Sequence, residues 1–185
     1  LIRLLAGKAK RNGNMYEVST ELRDGNKGHA DAAYFRAKAI LSDTPSHPSP
    51  TIGMPTEIMP YSKSMTEVYE NILFHGLDLR GIREIISCSP QHIIAKLSPA
   101  PSPSAWMSEP FRSRWISDPM VLDCAFQMAI VWCFEQCGKL SLPSYAASYR
   151  QYRSQFPSEG VTAMLEIREI GNHKIKGDFT FSDEN

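Results

Sequence analysis

The chain has 185 residues, of which 42% are hydrophobic and 22% are charged, and its formal net charge is zero. A chain of this length and composition can bury the core of about one soluble domain. The lack of net positive charge argues against binding to nucleic acid or to a membrane surface. No apolar run reaches the ~18 residues that a membrane-spanning helix requires.

The N-terminal region predicts antiparallel β structure. Polar and apolar residues alternate over 15–22 and again over 29–41, and turn-forming residues lie between them at 24–28. We therefore expect an antiparallel hairpin over 15–41, which needs further strands beside it because an isolated hairpin is only marginally stable. Residues 1–11 are short and basic, and we expect them to end an element that begins before this sequence.

A proline- and serine-rich segment follows the hairpin. Residues 42–60 contain prolines at positions 45, 48, 50, 55 and 60, which is typical of an extended linker. This composition divides the chain into a small N-terminal part, residues 1–41, and a larger C-terminal part, residues 61–185.

The C-terminal part predicts one short helix and several strands. Ser64 and Glu67 have the spacing of a capping box at the start of a helix over 64–71. Five strands are predicted from alternation and turn signals, at 82–87, 92–97, 145–153, 161–169 and 174–181, with a turn at 89–91 and another at Gly171–Asn172. A second proline- and serine-rich stretch, 98–114, is long enough to be either functional or packed down by its aromatic residues.

The most apolar stretch predicts a long buried helix over 117–138. Asp118 suits the N-cap, Pro119 the first helical position and Gly138 the C-terminal cap. Apolar residues cover most of the helix circumference, which is typical of a helix that is buried on most sides. An antiparallel sheet that wraps one long buried helix is a hotdog-like α+β fold.

Asp123 is the unexpected residue in this helix. It is four residues before Gln127, so the two side chains share one helical face. A carboxylate in an apolar helix is costly unless it has a partner or a role. For Asp123, the alternative to a functional role is a favourable interaction with the helix dipole, but Asp123 lies too far from the cap for this. For Gln127, the alternative to contact with Asp123 is a hydrogen bond to the backbone.

The cysteines indicate a reducing compartment. Three of the four, Cys124, Cys133 and Cys137, lie in the predicted helix, where neighbouring thiols rarely meet disulfide geometry. Cys133 and Cys137 have no second pair of ligands with matching spacing, so buried reduced thiols are favoured over a metal site. We therefore expect a cytoplasmic protein.

Two segments resemble polyketide synthase dehydratase domains, a family that includes the dehydratase modules of polyunsaturated fatty acid synthases. The sequence from Pro119 through Leu122 and Asp123 to Gln127 resembles their Pro-x-x-Leu-Asp-x-x-x-Gln segment. Residues 74–82 resemble their Tyr/His-Gly-Pro-x-Phe-Gln-Gly-Leu/Ile segment, and Leu-Pro after the helix also matches. The resemblance covers residues 65–182 well and the 15–41 hairpin loosely.

The resemblance implies a double hotdog that removes water from a 3-hydroxyacyl thioester on an acyl carrier protein, giving the 2-enoyl thioester. In this family an N-terminal hotdog supplies a catalytic histidine and a C-terminal hotdog supplies the aspartate. By this resemblance Asp123 donates the proton to the leaving hydroxyl and Gln127 holds its carboxyl group. We expect His75 and Gly76 to line the pocket or contact the substrate, the alternative for His75 being a half-buried histidine whose hydrogen bonds are satisfied. Residues 1–41 would close the N-terminal hotdog, and 61–185 would form the C-terminal one.

The sequence departs from the family at several positions. The family's His-x-x-x-Gly-x-x-x-x-Pro motif is absent, and none of the five histidines, at positions 29, 47, 75, 92 and 173, fits it. Leu77, Leu79 and Arg80 replace the family's Pro, Phe and Gln. We therefore expect the catalytic histidine to come from upstream residues or a separate chain. The alternatives are a non-catalytic hotdog that acts as a structural or carrier-docking module, and a hotdog thioesterase or isomerase.

The same resemblance defines the expected partners. No cofactor or metal is implied, since the substrate is carried on the phosphopantetheine arm of the acyl carrier protein. Neighbouring synthase domains and the missing N-terminal hotdog are the other expected partners, and open sheet edges favour a homodimer. Arg80, Arg112 and Arg114 are candidates for contacting the acidic carrier or its phosphate, the alternative being a solvated surface.

Overall fold

The computed structural model of the chain describes residues 2–25, 33–42, 53, 55 and 57–183. The chain divides into two units, Leu1–His47 and Pro48–Asn185, so their boundary falls within the predicted linker. Most of that linker lies outside the described residues, as do most of the predicted 24–28 turn and the histidines at 29 and 47.

The N-terminal unit contains a four-stranded antiparallel sheet. Its strands are β1 (Ile2–Ala6), β2 (Lys10–Asn12), β3 (Met15–Asp24) and β4 (Ala33–Ser42). β3 pairs with all three others, so the predicted 15–41 hairpin is confirmed. Residues 2–12 contain two short strands, β1 and β2, which supply the additional pairing that the hairpin requires.

The two faces of this sheet differ in polarity. The register places Leu4, Leu22 and Phe35 in one cross-strand row, whereas Glu21 and Arg36 pair on the opposite face. None of the described residues of this unit is buried. Strand alternation therefore produces an apolar face here without enclosing it.

The C-terminal unit combines a second four-stranded sheet with three helices. In chain order the elements are α1 (Met65–Asn71), β5 (Ile82–Cys88), β6 (His92–Leu97), α2 (Pro103–Trp106), α3 (Pro119–Cys137), β7 (Val161–Ile170) and β8 (Ile175–Ser182). The strands are antiparallel in the order β5-β6-β7-β8, and α3 packs on β5, β6 and β7. A short 3-10 turn, Leu77–Leu79, connects the α1 region to β5.

Local chemistry sets the ends of the two longer helices as predicted. Asp118 accepts a hydrogen bond from the Val121 N–H at 3.0 Å, Pro119 begins α3, and Gly138 ends it with a left-handed φ of 63°. Ser64 and Glu67 form the predicted capping box on α1.

Helix α3 is the centre of the C-terminal core. Fully buried side chains of the helix, including Val121, Met128 and Trp132, meet Ile93 and Leu97 of the sheet. By length and composition alone, α3 would be apolar enough to cross a membrane, contrary to the expectation from the sequence. Its packing against the sheet accounts for that apolar character.

Two expectations for the C-terminal unit, a strand over 145–153 and a total of at least five strands, are wrong. Residues 145–153 form no strand, so this sheet has four strands. The Gln151 side chain instead donates to the carbonyl groups of Ile116 and Arg153, and Tyr145 is 83% exposed. Side-chain hydrogen bonds to loops, rather than strand pairing, hold this segment.

The other loop and thiol predictions hold in part. Within 98–114, the Trp106 ring packs against Trp115 with centroids 5.8 Å apart, whereas Phe111 is fully exposed. All four cysteines are free thiols, but only Cys124 and Cys133 are buried, and Cys137 is exposed.

Candidate functional site

Asp123 and Gln127 lie together on α3, at the side of the helix that meets the 3-10 turn. Gln127 Nε2 donates to Asp123 Oδ2 at 2.7 Å, so the contact predicted from their spacing is present. The two side chains differ in burial. Gln127 is fully buried, while the Asp123 side chain is 36% exposed, which leaves the carboxylate accessible from outside.

The Gln127 amide is held by three separate elements. Its Nε2 also donates to the Leu79 carbonyl oxygen at 2.7 Å, and its Oε1 accepts from the Tyr69 hydroxyl at 2.9 Å. A carbonyl oxygen can only accept, so the Gln127 atom that contacts Leu79 must be the amide nitrogen. The same nitrogen contacts Asp123, which fixes the orientation of the amide. Both Nε2 hydrogens are then in use, one for Leu79 and one for Asp123.

Tyr69 on α1 completes this hydrogen-bond chain. Its hydroxyl oxygen accepts from the Ile82 N–H at 2.9 Å, so its own proton is directed to Gln127. Burial raises the pKa of Tyr69, which keeps the phenol protonated as a donor. Sequence reasoning did not identify Tyr69. The only available signal was the general rule that a buried tyrosine hydroxyl needs a partner.

His75 is brought beside Asp123 by the segment between α1 and the 3-10 turn. Its Nε2 lies 3.7 Å from Asp123 Oδ2, and only 9% of the side chain is exposed. The ring stacks on Phe74, with centroids 4.5 Å apart. Sequence reasoning expected the catalytic histidine to come from upstream residues or a separate chain, because none of the five histidines fits the family motif. The long segment that separates His75 from Asp123 gave no signal that these two side chains would lie close together.

The two glycines of this segment have different surroundings. A Cβ built on Gly81 would lie 2.6 Å from both Cys124 Sγ and Met120 Cγ, so glycine is needed for the close approach to α3. A Cβ on Gly76 would meet nothing within 4 Å. No close contact among the described residues therefore requires glycine at position 76, and the space beside it is open.

The three candidate arginines do not gather at Asp123. Arg80 places its guanidinium 5.2 Å from the centre of the Tyr69 ring, and its Nε donates to the His75 carbonyl at 3.4 Å. Arg112 and Arg114 line a separate surface cavity of about 430 Å³ together with Phe111 and Trp115. Of the three, only Arg80 is part of the Asp123 surroundings.

The groups around Asp123 are suited to hydrogen bonding and proton transfer, since a carboxylate, an amide and an imidazole meet there. They are not suited to holding a metal ion. Within the described ranges, no three His, Cys, Asp or Glu side chains converge in a way that could bind one.

Comparison with known proteins identifies the family. Residues 43–185 match the family described as "Polyketide synthase dehydratase N-terminal domain". A polyunsaturated fatty acid synthase polypeptide from Thraustochytrium sp. is 29% identical over 157 residues, which is 84% of this chain and 6% of the relative. The chain thus spans only a small fraction of that relative's length.

Two solved structures share the fold at 13% sequence identity each. One is described as the dehydratase domain of RzxB from Pseudomonas fluorescens and has a TM-score of 0.58, over 99% of this chain and 62% of that one. The other, described as "Insights into Substrate Modification by Dehydratases from Type I Polyketide Synthases", has a TM-score of 0.51 over 95% and 61%. The predicted hotdog α+β fold is confirmed, and the chain belongs to the polyketide synthase dehydratase family.

Proposed function

We propose that this chain is part of a dehydratase that removes water from a 3-hydroxyacyl thioester carried on an acyl carrier protein. The observation that carries the proposal is the Asp123 carboxyl group, which is partly exposed and accepts a hydrogen bond from the fully buried Gln127. A carboxyl group that is fixed in place and partly exposed is suited to general acid catalysis.

In the proposed reaction, a base removes the proton on the carbon next to the thioester carbonyl. Asp123, in its protonated form, donates its proton to the hydroxyl group on the following carbon. The C–O bond then breaks, water leaves, and the electrons of the broken C–H bond form the double bond of the 2-enoyl thioester. The base keeps one proton and Asp123 is left as a carboxylate, so one proton transfer between them resets the site.

We assign the base to a histidine that is not among these 185 residues and that an N-terminal hotdog supplies, in cis or in trans. On this assignment residues 1–41 close that first hotdog and 61–185 form the second. The matched family is described as an N-terminal domain, whereas we assign residues 61–185 to the second hotdog, so this division is our own proposal.

The substrate would bind beside His75 and Gly76. The open space at Gly76 leaves room for a ligand, and Phe74 and Leu77 are 71% and 81% exposed along the same segment. These exposed apolar side chains are suited to contact with an acyl chain. No cofactor or metal is required, because phosphopantetheine on the carrier protein delivers the acyl group.

The proposed context is a cytoplasmic synthase, with the acyl carrier protein and neighbouring synthase domains as partners.

A second candidate function is a hotdog that docks or supports other domains without catalysis. It is favoured by Leu77, Leu79 and Arg80, which replace the proline, phenylalanine and glutamine of the family segment.

Product analysis with the full-length protein tests the proposal. A 3-hydroxyacyl carrier protein is incubated with the protein, and the acyl group is identified by mass spectrometry. Loss of one water with the double bond at position 2 is expected. A free acid would indicate a thioesterase, a double bond at another position an isomerase, and unchanged substrate the non-catalytic hotdog.

A further inference from the structure

His75 has one buried ring nitrogen without a partner. Its Nδ1 is inaccessible to solvent and makes no hydrogen bond with any described residue, while its side chain is nine-tenths buried. A buried polar atom without a partner is costly and needs an explanation, of which a catalytic role is one. The other nitrogen, Nε2, is directed to the Asp123 carboxylate at 3.7 Å.

The absence of a partner at Nδ1 among the described residues favours one form of the ring. A protonated imidazolium would leave a buried N–H donor unsatisfied at Nδ1, and so would the neutral tautomer that carries its proton there. The remaining form is a neutral ring whose single proton is on Nε2, facing Asp123.

We infer that His75 is a positioning residue that holds Asp123 by an Nε2–H donor, in addition to Gln127; this inference rests on the function proposed above. At 3.7 Å the contact is longer than a hydrogen bond. Catalytic hydrogen bonds are often long without substrate and shorten in the complex, and we expect this one to do so.

The consequence is a division of labour between the two carboxyl oxygens. Gln127 Nε2 and His75 Nε2 both contact Asp123 through the same oxygen, Oδ2. Two donors on Oδ2 make it the accepting oxygen and place the acidic proton on Oδ1. Oδ1 is then the oxygen that meets the substrate hydroxyl.

Three substitutions at position 75 separate donation from other roles. The side-chain nitrogen of His75→Gln falls near Nε2, that of His75→Asn falls near Nδ1 and cannot reach Asp123, and His75→Leu has no donor. We expect the Asn and Leu variants to lower kcat about ten- to a hundredfold with little change in KM, because they lose a hydrogen bond to Asp123, which becomes charged as it gives up its proton. His75→Gln should retain most of the wild-type kcat.

The kinetic result can overturn the inference in three ways. Loss of activity in His75→Gln equal to that in His75→Leu would make His75 a proton-transfer group. A raised KM with unchanged kcat would make it a substrate-binding residue only. Wild-type kinetics in all three variants would leave it no role at all.

A second measurement does not depend on activity. In protein labelled with ¹⁵N at histidine, His75 should show one protonated nitrogen, Nε2, and one unprotonated nitrogen, Nδ1, at neutral pH. The Nε2 signal should shift in Asp123→Asn. An imidazolium, or a proton on Nδ1, would contradict the inference even if the wild-type protein forms no enoyl product, in which case the proposed function would fail separately.

Discussion

The two sheets of this protein have the same number of strands and the same antiparallel pairing, yet they differ completely in burial. Among the described residues, the N-terminal sheet has none that is buried, whereas Ile93, Ile94 and Ala95 of β6 are entirely inaccessible. The apolar face of the N-terminal sheet contains exposed leucine and phenylalanine side chains. In the C-terminal unit, α3 covers the corresponding surface.

The difference shows what each sequence pattern encodes. Alternation of polar and apolar residues, as in β3 and β4, predicts a strand with one more polar face but does not say whether the other face is covered. The unbroken apolar run in β6 is typical of a strand with both faces enclosed. The candidate site lies in the enclosed unit, where packing fixes Asp123, Gln127 and Tyr69 relative to one another.

The largest effect is expected at the centre of the enclosed core. Trp132 is 1% exposed, and its Nε1 donates to the Ser89 carbonyl at 2.7 Å. Trp132→Ala should lower the unfolding free energy of the C-terminal unit by about 3–5 kcal/mol through cavity formation. The measurement is urea unfolding followed by circular dichroism. The matched change on the open sheet, Phe35→Ala, removes a side chain that is 57% exposed and should change stability by no more than about 0.5 kcal/mol. Equal losses would abolish the distinction.

A smaller effect is expected at the N-terminus of α3. The described part of the N-terminal unit contains no such helix. Asp118 caps Val121 and also accepts from the Ala100 N–H at 2.9 Å. Asp118→Ala should cost about 2 kcal/mol, since it removes the cap and leaves a second backbone donor unpaired. Ser64→Ala, at the capping box of α1, should cost about 1 kcal/mol. If both variants melt at the wild-type temperature, the caps do not contribute as described.

The close approach of sheet and helix can be tested at a pair of glycines. Gly81→Ala should lower the unfolding free energy by about 1–3 kcal/mol, because its Cβ would overlap Cys124 and Met120. Gly76→Ala is the control, with an expected change within about 0.5 kcal/mol, since nothing lies within 4 Å. Chemical denaturation of the two variants should therefore give different midpoints. A stable Gly81→Ala variant would show that α3 is not held against this segment.

The smallest effect is a pH dependence at the β5–β6 turn. Burial lowers the pKa of His92, whose ring nitrogens lie 3.1 Å from the hydroxyl oxygens of Ser87 and Ser89, and nearby Glu166 opposes the shift in part. In the unfolded chain its pKa is about 6.5, so the unfolded state binds the proton first as the pH falls. Stability should therefore decrease below about pH 6.5 and level off below the folded-state pKa. Urea midpoints for wild type and His92→Gln at several pH values check this; parallel curves would exclude His92 as the source.

Local chemistry made much of this molecule predictable. The ends of α3 follow from Asp118, Pro119 and Gly138, and the contact between Asp123 and Gln127 follows from a spacing of four residues. These features depend on neighbours within one helical turn, and sequence spacing determines those neighbours directly.

The rest depends on contacts between distant segments. The 145–153 segment alternates like a strand but finds no partner strand, because Gln151 bonds to loop carbonyl groups instead. The approach of His75 to Asp123 and the hydrogen bond from Tyr69 to Gln127 arise only when α1, the 3-10 turn and α3 pack together. Alternation and spacing carry no information about such contacts.

The central claim is that Asp123 donates the proton to the leaving hydroxyl, and Asp123→Asn tests it most directly. The amide keeps the shape of the carboxyl group but cannot supply the proton, so dehydration of a 3-hydroxyacyl carrier protein by the full-length variant should fall about 10²–10⁴-fold. Glu70→Gln, which changes an exposed carboxylate on α1, is the control and should match the wild type. An Asp123→Asn rate within twofold of the wild type would contradict the account.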